Sequence, residues 1–140
     1  MKTSIVLSAA ILALGCVHQC SPDAKAQAQA QAAQDEARLV AALSGRVAGL
    51  PQDCVVEIDL GGTKSYGRGV ILFTSKTGDV VYVNRPRSGC PEVSSGRAIR
   101  VRTPETRFCR GDIVTVFDPV SRIDYGSCNL GEFTPYRSTR

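Results

Sequence analysis

The feature that most restricts the fold of this 140-residue chain is a set of four cysteines in its C-terminal part: Cys54, Cys90, Cys109 and Cys128. An even number of cysteines in a short chain from an oxidising compartment indicates a disulfide framework. A domain of about 90 residues buries only about 60–65% of its unfolded surface, so two cross-links of about 2–4 kcal/mol each would contribute substantially to its stability. We therefore predict a small domain stabilised by two disulfides.

Short apolar segments around these cysteines predict that the domain is all-β. In the first segment, alternation places Val56, Ile58 and Leu60 on the inner face, and Gly61-Gly62 is predicted to end the strand. The predicted strands cover residues 54–60, 68–74, 80–83, 97–103, 112–118 and 123–133. About six strands at this spacing predict a small antiparallel barrel or sandwich, which we place at residues 46–137.

Strand order favours one disulfide pairing among the three that four cysteines allow. In an up-and-down arrangement, successive strands begin at opposite ends of the sheet. Cys54 and Cys109 then lie at one end, and Cys90 and Cys128 lie at the other. Our hypothesis is that the pairs are Cys54–Cys109 and Cys90–Cys128, which requires the first and fifth strands to approach each other.

The N-terminus has the pattern of a secretory signal. Lys2 precedes an apolar run of about ten residues, 5–14, which is too short to span a bilayer. Residues 12–16 (LALGC) are similar to a bacterial lipobox, so we predict a signal peptide at 1–15 and lipidation of Cys16 as the mature N-terminus. The alternative is ordinary cleavage after Ala26, which would leave only the four paired cysteines. Either route exports the protein.

The segment between the leader and the domain, residues 16–45, is rich in Ala and Gln and is predicted to be a helical tether. Residues 17–38 are interpreted as a spacer that holds the domain off a surface, with plain disorder as the alternative. Leu39, Val40 and Leu43 fall on one helical face and are predicted to dock on the domain. Ser44-Gly45 is the predicted end of the helix.

The candidate catalytic chemistry is sparse. The only histidine, His18, is in or next to the leader, so the predicted domain has no imidazole for a Ser–His or Cys–His pair. The domain cysteines lack CxxC spacing, and we predict no metal site, no cofactor and no catalytic residue. A carboxylate-dependent hydrolase acting on envelope glycan is the remaining enzymatic alternative, and its candidate residues would be Asp59, Asp112, Asp118 and Asp124.

Arginine is concentrated in the middle of the domain. The predicted anion-binding residues are Arg85, Arg87, Arg97, Arg100 and Arg102. On a strand, Arg100 and Arg102 share one face, and guanidinium groups bind carboxylate and phosphate in a bidentate manner. The candidate partners are lipid headgroups, anionic glycan or an acidic protein, and nucleic acid is not expected. The alternative is a solvated edge strand that is charged against aggregation.

One further motif, Arg110-Gly111-Asp112, is the tripeptide that integrins recognise. Recognition requires a projecting loop, whereas a cysteine and a buried strand flank this tripeptide on its two sides. Gly111 suits a turn, so we predict a bend between two strands and do not expect integrin binding.

Several segments together resemble a family of small exported or lipid-anchored proteins of alphaproteobacteria, which is related to a broader domain of unknown function. They are 43–49 (LSGRVAG), Cys54, 83–91 (VNRPRSGCP), 109–112 (CRGD) and 126–137 (GSCNLGEFTPYR). The resemblance implies bacterial origin, export and a shared cysteine scaffold, and it carries over no catalytic residue because the family has no established activity.

These observations together predict a non-enzymatic lipoprotein of the bacterial cell envelope with a structural or binding role. It would be anchored through Cys16 in the outer membrane and would face the periplasm, because Val17 replaces the Asp that usually signals inner-membrane retention. Three acyl chains would exceed the two signals needed for stable anchoring. The alternative is a freely periplasmic or secreted binding module or inhibitor.

Overall fold

The computed structural model describes residues 22–93 and 97–139, and its chain forms one helix and ten strands. The predicted signal peptide, Cys16 and His18 lie outside the described residues. The helix is α1 (Pro22–Leu43). The strands are β1 (Arg46–Ala48), β2 (Cys54–Val56), β3 (Leu60–Tyr66), β4 (Val70–Ser75), β5 (Val80–Asn84), β6 (Ala98–Arg102), β7 (Arg107–Cys109), β8 (Ile113–Phe117), β9 (Asp124–Asn129) and β10 (Phe133–Ser138).

The strands form three antiparallel sheets, which confirms the predicted fold class. Their orders are β1-β10-β5-β4-β3, β6-β8-β9 and β2-β7. The sheets are open, so the fold is a sandwich and not a closed barrel, and ten short strands replace the six that we predicted. The described part of the chain contains no helix that is both long and apolar enough to cross a membrane.

The sandwich core lies between the five-stranded sheet and the two smaller sheets. Phe73 of β4 and Phe133 of β10 are fully buried in it, with ring centroids 5.4 Å apart in an edge-on arrangement. Its other buried members come from all three sheets and their loops: Val55, Ile71, Cys90, Val93, Val114, Val116, Cys128 and Leu130. This cluster therefore joins the three sheets into one packed unit.

A second cluster, the helix core, covers the opposite face of the five-stranded sheet. It contains Leu39 of α1 and the sheet residues Tyr66, Val70, Leu72, Val81 and Val83. Strand β4 supplies both clusters, because Ile71 and Phe73 point to one face while Val70 and Leu72 point to the other. Residues 70–73 are all apolar because both faces of the strand are covered there.

Helix α1 confirms that the Ala- and Gln-rich segment is helical and that it ends before Gly45, which has a positive φ of 70°. Its role as a tether stays a prediction. Leu39 is buried at 1% exposure and Leu43 is half-buried, but Val40 is 62% exposed, so the prediction that Val40 docks is wrong. The helix also approaches the domain before residue 38. A Cβ at Gly67, in the β3–β4 turn, would lie 3.1 Å from Oδ2 of Asp35.

The predicted alternation over residues 54–60 is wrong for Val56 and Ile58, whereas Leu60 packs against the sandwich core as predicted. Val55 is buried, whereas Val56 is 42% and Ile58 is 70% exposed. The reason is that Cys54 faces Cys109 across the β2–β7 pair on the side away from the core, which turns Val55 inward. The strand then ends at Val56, and a 3-10 turn follows at Glu57–Asp59.

The prediction that Gly61-Gly62 ends a strand is also wrong. Both glycines lie inside β3, where the register with β4 shifts between Leu60 and Gly62. The backbone of Lys76 passes close to Gly61, since a Cβ there would lie 3.1 Å from the Lys76 Cα. The glycine therefore permits a bulge and a close backbone approach.

Both predicted disulfides are present. Cys54 pairs with Cys109 directly across β2 and β7, and Cys90 pairs with Cys128 inside the sandwich core. The first bond links two strands of one small sheet, whereas the second links the loop after β5 to β9. Together they join distant parts of the chain, with sequence separations of 55 and 38 residues.

Candidate functional site

The CRGD segment forms the bend that the sequence predicts. Gly111 has a φ of 95°, and the Asp112 carboxylate accepts a hydrogen bond of 2.8 Å from the backbone N–H of Cys109. The Arg110 guanidinium contacts the carboxylates of Asp53 at 3.2 Å and Glu132 at 2.9 Å. All three residues of the tripeptide thus have contacts within the fold that explain their identity.

A buried asparagine next to this bend was not predicted. Asn84, which is fully buried, donates to the carbonyl oxygen of Gly131 at 2.8 Å and accepts from its N–H at 2.9 Å. A side chain at Gly131 would collide with the backbone carbonyl of Arg85. The segments 83–91 and 126–137 therefore meet where the Asn84 side chain and the Arg85 carbonyl contact the backbone of Gly131, which explains the glycine at that position.

The structure separates the five predicted anion-binding arginines into three groups. Arg85 and Arg87 are exposed in the loop after β5, beside residues of β10 and the CRGD bend. Arg100 and Arg102 lie on β6, and Arg97 precedes that strand with its side chain turned to the other face. Arg100 and Arg102 share one face of the strand, as predicted, and the other three arginines lie elsewhere.

We call the outer surface of the β6–β8–β9 sheet that carries Arg100, Arg102, Ile113 and Phe117 the arginine face. The register pairs Arg100 with Thr115 and Arg102 with Ile113, so no carboxylate stands opposite either cation. The Arg100 guanidinium lies 4.6 Å from the centroid of the Phe117 ring, and Ile113 is 47% exposed. This face combines two exposed cations with apolar side chains.

Arg97 is oriented by contacts with Glu92 and Tyr125. Its Nη1 donates to the Glu92 backbone carbonyl at 2.7 Å and contacts Glu92 Oε2 at 3.3 Å. Its guanidinium also stacks on Tyr125, 3.8 Å from the ring centroid. These contacts fix the guanidinium plane at the mouth of a cavity.

That cavity, which we call the cationic cleft, has a volume of about 500 Å³ and lies at the open side of the sandwich under α1. The edge strands β3 and β6 flank it. Its cationic lining residues are Arg38, Lys64 and Arg97, and the others are Ala41, Ala42, Thr63, Ser65, Tyr66, Ile71, Val93 and Ile99. Sequence reasoning did not group the three cations because they come from three separate elements.

The candidate carboxylates occupy turns and strand ends. Asp118 accepts hydrogen bonds of 2.8 Å from the backbone N–H groups of Val120 and Ser121, and these bonds lower the pKa of Asp118 from its ordinary value. Asp59 ends the 3-10 turn and Asp124 begins β9. Among the described residues, no three Cys, His, Asp or Glu side chains cluster as a metal site would require.

Comparisons with known proteins give no match, whether to protein-family models, to curated proteins or to solved structures.

Proposed function

We propose that this chain is a non-catalytic binding protein of the bacterial cell envelope that contacts an anionic envelope component through its arginine face. The candidate components are phosphate-bearing lipid headgroups and anionic glycan, whose charged groups guanidinium recognises in a bidentate manner. The short apolar run of the leader and Cys16 support export and anchoring. The alternative cleavage point after Ala26 would remove the first turn of α1.

The observation that carries the proposal is the exposure of Arg100 and Arg102 on one face of strand β6. Elsewhere, Arg97, Arg107 and Arg110 contact carboxylates within the fold, whereas Arg100 and Arg102 form no ion pair with any described residue. Exposed Ile113 sits directly opposite Arg102 and adds an apolar contact. An anion approaching this face would meet cations that no neighbouring carboxylate neutralises.

The test is retention on immobilised anionic glycan and on vesicles with anionic lipid. Arg100→Glu/Arg102→Glu is expected to weaken retention at least about tenfold, since each basic residue near an anionic surface contributes about 1 kcal/mol. Retention by the unchanged protein should also fall with added salt. The matched control is Lys76→Glu/Arg137→Glu, which makes the same charge change at two exposed positions outside the arginine face, in the β4–β5 turn and in β10. Equal weakening by both double variants would reject a specific face.

The anchor is tested separately by mass spectrometry of the mature N-terminus. Acylated Cys16 is the expected species, and a free Gln27 would show the alternative cleavage and a soluble binding module. Because the arginine face does not depend on the anchor, a negative result here leaves the retention test intact.

A further inference from the structure

The cationic cleft is a second candidate site, on the side of β6 opposite the arginine face. Arg38 of α1, Lys64 of β3 and Arg97 line it, and none of its described lining residues is Asp or Glu. Its volume of about 500 Å³ lies within the range of about 300–1,000 Å³ that is usual for small-molecule sites. We propose that the cleft binds a small organic anion with one carboxylate or phosphate head and an apolar body.

The head of this anion would be bound between Lys64 and Arg97. Lys64 is exposed and forms no ion pair with a described residue, and its Nζ lies 5.6 Å from the Tyr66 ring centroid. Arg97 is preorganised by Glu92 and Tyr125, and both of its contacts with Glu92 use Nη1 alone. A guanidinium has five N–H donors, so an added anion can be bonded without breaking these contacts.

The body of the anion would lie on the apolar part of the lining. Ile71, Val93 and Ile99 supply branched side chains from the sandwich core and β6. Besides Arg38, the described part of α1 contributes the small side chains of Ala41 and Ala42 to this lining, which leaves space between the helix and the sheets. The cleft is therefore amphipathic, with charge at its rim and hydrocarbon inside.

A neighbouring groove along α1 differs from the cationic cleft in charge, and this difference indicates that an anion would bind selectively in the cleft. It has a volume of about 450 Å³, lies between α1 and the β3–β4 turn, and includes Asp35 and Glu36 in its lining. Arg68 is the cation in its lining, so the groove combines two carboxylates with one cation and is less favourable to an anion than the cleft, because like charges repel. Arg38 extends from the same helix toward the cationic cleft while forming an ion pair with Asp35. An anion is therefore expected to choose the cleft.

The experiment is calorimetric titration of the mature, oxidised protein with octyl phosphate, octanoate, inorganic phosphate and octyltrimethylammonium. At least one of the two octyl anions is expected to bind at least about tenfold more tightly than octyltrimethylammonium, because an anionic head attracts Lys64 and Arg97 whereas a cationic head is repelled by them. Inorganic phosphate should bind more weakly than octyl phosphate, because it lacks the apolar body. Comparison of octyl phosphate with octanoate distinguishes the two head groups.

Lys64→Glu is expected to weaken binding of the preferred octyl anion at least about tenfold, whereas Lys76→Glu makes the same charge change outside the cleft and should leave it unchanged. If Lys64→Glu lowers the melting temperature, Lys64→Gln replaces it and should still weaken binding. The inference is overturned if neither octyl anion binds, or if octyltrimethylammonium binds as tightly as the octyl anions do. It is also overturned if Lys76→Glu weakens binding of the octyl anion as much as Lys64→Glu does. Arg100→Glu/Arg102→Glu should bind the probe normally, which separates this site from the arginine face.

Discussion

The two faces of the five-stranded sheet are covered in different ways. One face packs on two further sheets through the sandwich core, which includes the buried Cys90–Cys128 disulfide. The other face is covered by a single helix, of which only Leu39 is fully buried among the described side chains. The first face is fixed covalently, whereas the second depends on one helix docking. The cationic cleft borders that helix, so the less constrained layer is also the one that forms a candidate site.

The largest expected effect is on the sandwich core. Phe73→Ala should lower the free energy of unfolding by about 3–5 kcal/mol, because a fully buried aromatic side chain is replaced by a cavity. Denaturant unfolding measures this loss. Val120→Ala is the control, since Val120 is 92% exposed and its truncation should cost less than about 0.5 kcal/mol. A loss below about 1 kcal/mol for Phe73→Ala would contradict the core assignment.

Removal of the buried disulfide is expected to cause the second-largest loss of stability. Cys90→Ala/Cys128→Ala is expected to cost about 2–4 kcal/mol, because a bond with a sequence separation of 38 residues no longer restricts the unfolded chain. The measurement is the same unfolding curve, beside a count of free thiols in denaturant without reductant. Four free thiols at positions 54, 90, 109 and 128 in the unchanged protein would contradict both disulfides.

Detachment of α1 is expected to lower the free energy of unfolding by less than a change in the sandwich core does. Leu39→Ala is expected to lower stability by about 2 kcal/mol, at the low end for a buried leucine, because α1 can detach while the sheets remain packed. The matched control is Val40→Ala, at 62% exposure, which should cost less than about 0.5 kcal/mol. Equal losses in the two variants would show that Leu39 does not dock the helix.

The smallest effect concerns pH. Backbone hydrogen bonds from Ser121 and Val120 lower the pKa of Asp118 in the folded state, so its contribution to stability is present above the unfolded pKa. That contribution is lost as pH falls below about 4. Asp118→Asn should therefore show a smaller loss of stability between neutral and acidic pH than the unchanged protein. Identical pH profiles for both proteins would contradict the role of this carboxylate.

Some parts of the fold are predictable from the sequence and others are not. The apolar residues within 68–74 predict a strand close to the observed β4, and strand parity among the cysteines predicts both disulfides. By contrast, local alternation misplaces Val56, because the Cys54–Cys109 bond decides which side of β2 faces the core. It misplaces Ile58 because a 3-10 turn replaces the strand there. Contacts between side chains that are distant in the sequence cannot be predicted from local hydrophobic alternation.

The two candidate sites differ in the same way: the arginine face is predictable from local sequence, and the cationic cleft is not. Arg100 and Arg102 are two residues apart on one strand, so their shared face is predictable from the period of a strand. Arg38, Lys64 and Arg97 come together only when α1 docks beside two edge strands of different sheets. The cleft is thus a product of tertiary packing, which sequence spacing does not encode locally.

The central claim is that α1 is a separable layer whose docking through Leu39 forms the cleft. Amide hydrogen exchange of the unchanged protein and of Leu39→Ala tests it directly. In the variant, peptides from the C-terminal half of α1 should lose protection, while those from β4 and β8 should keep it. Equal loss of protection in all three elements, or an α1 that is already unprotected in the unchanged protein, would contradict the claim.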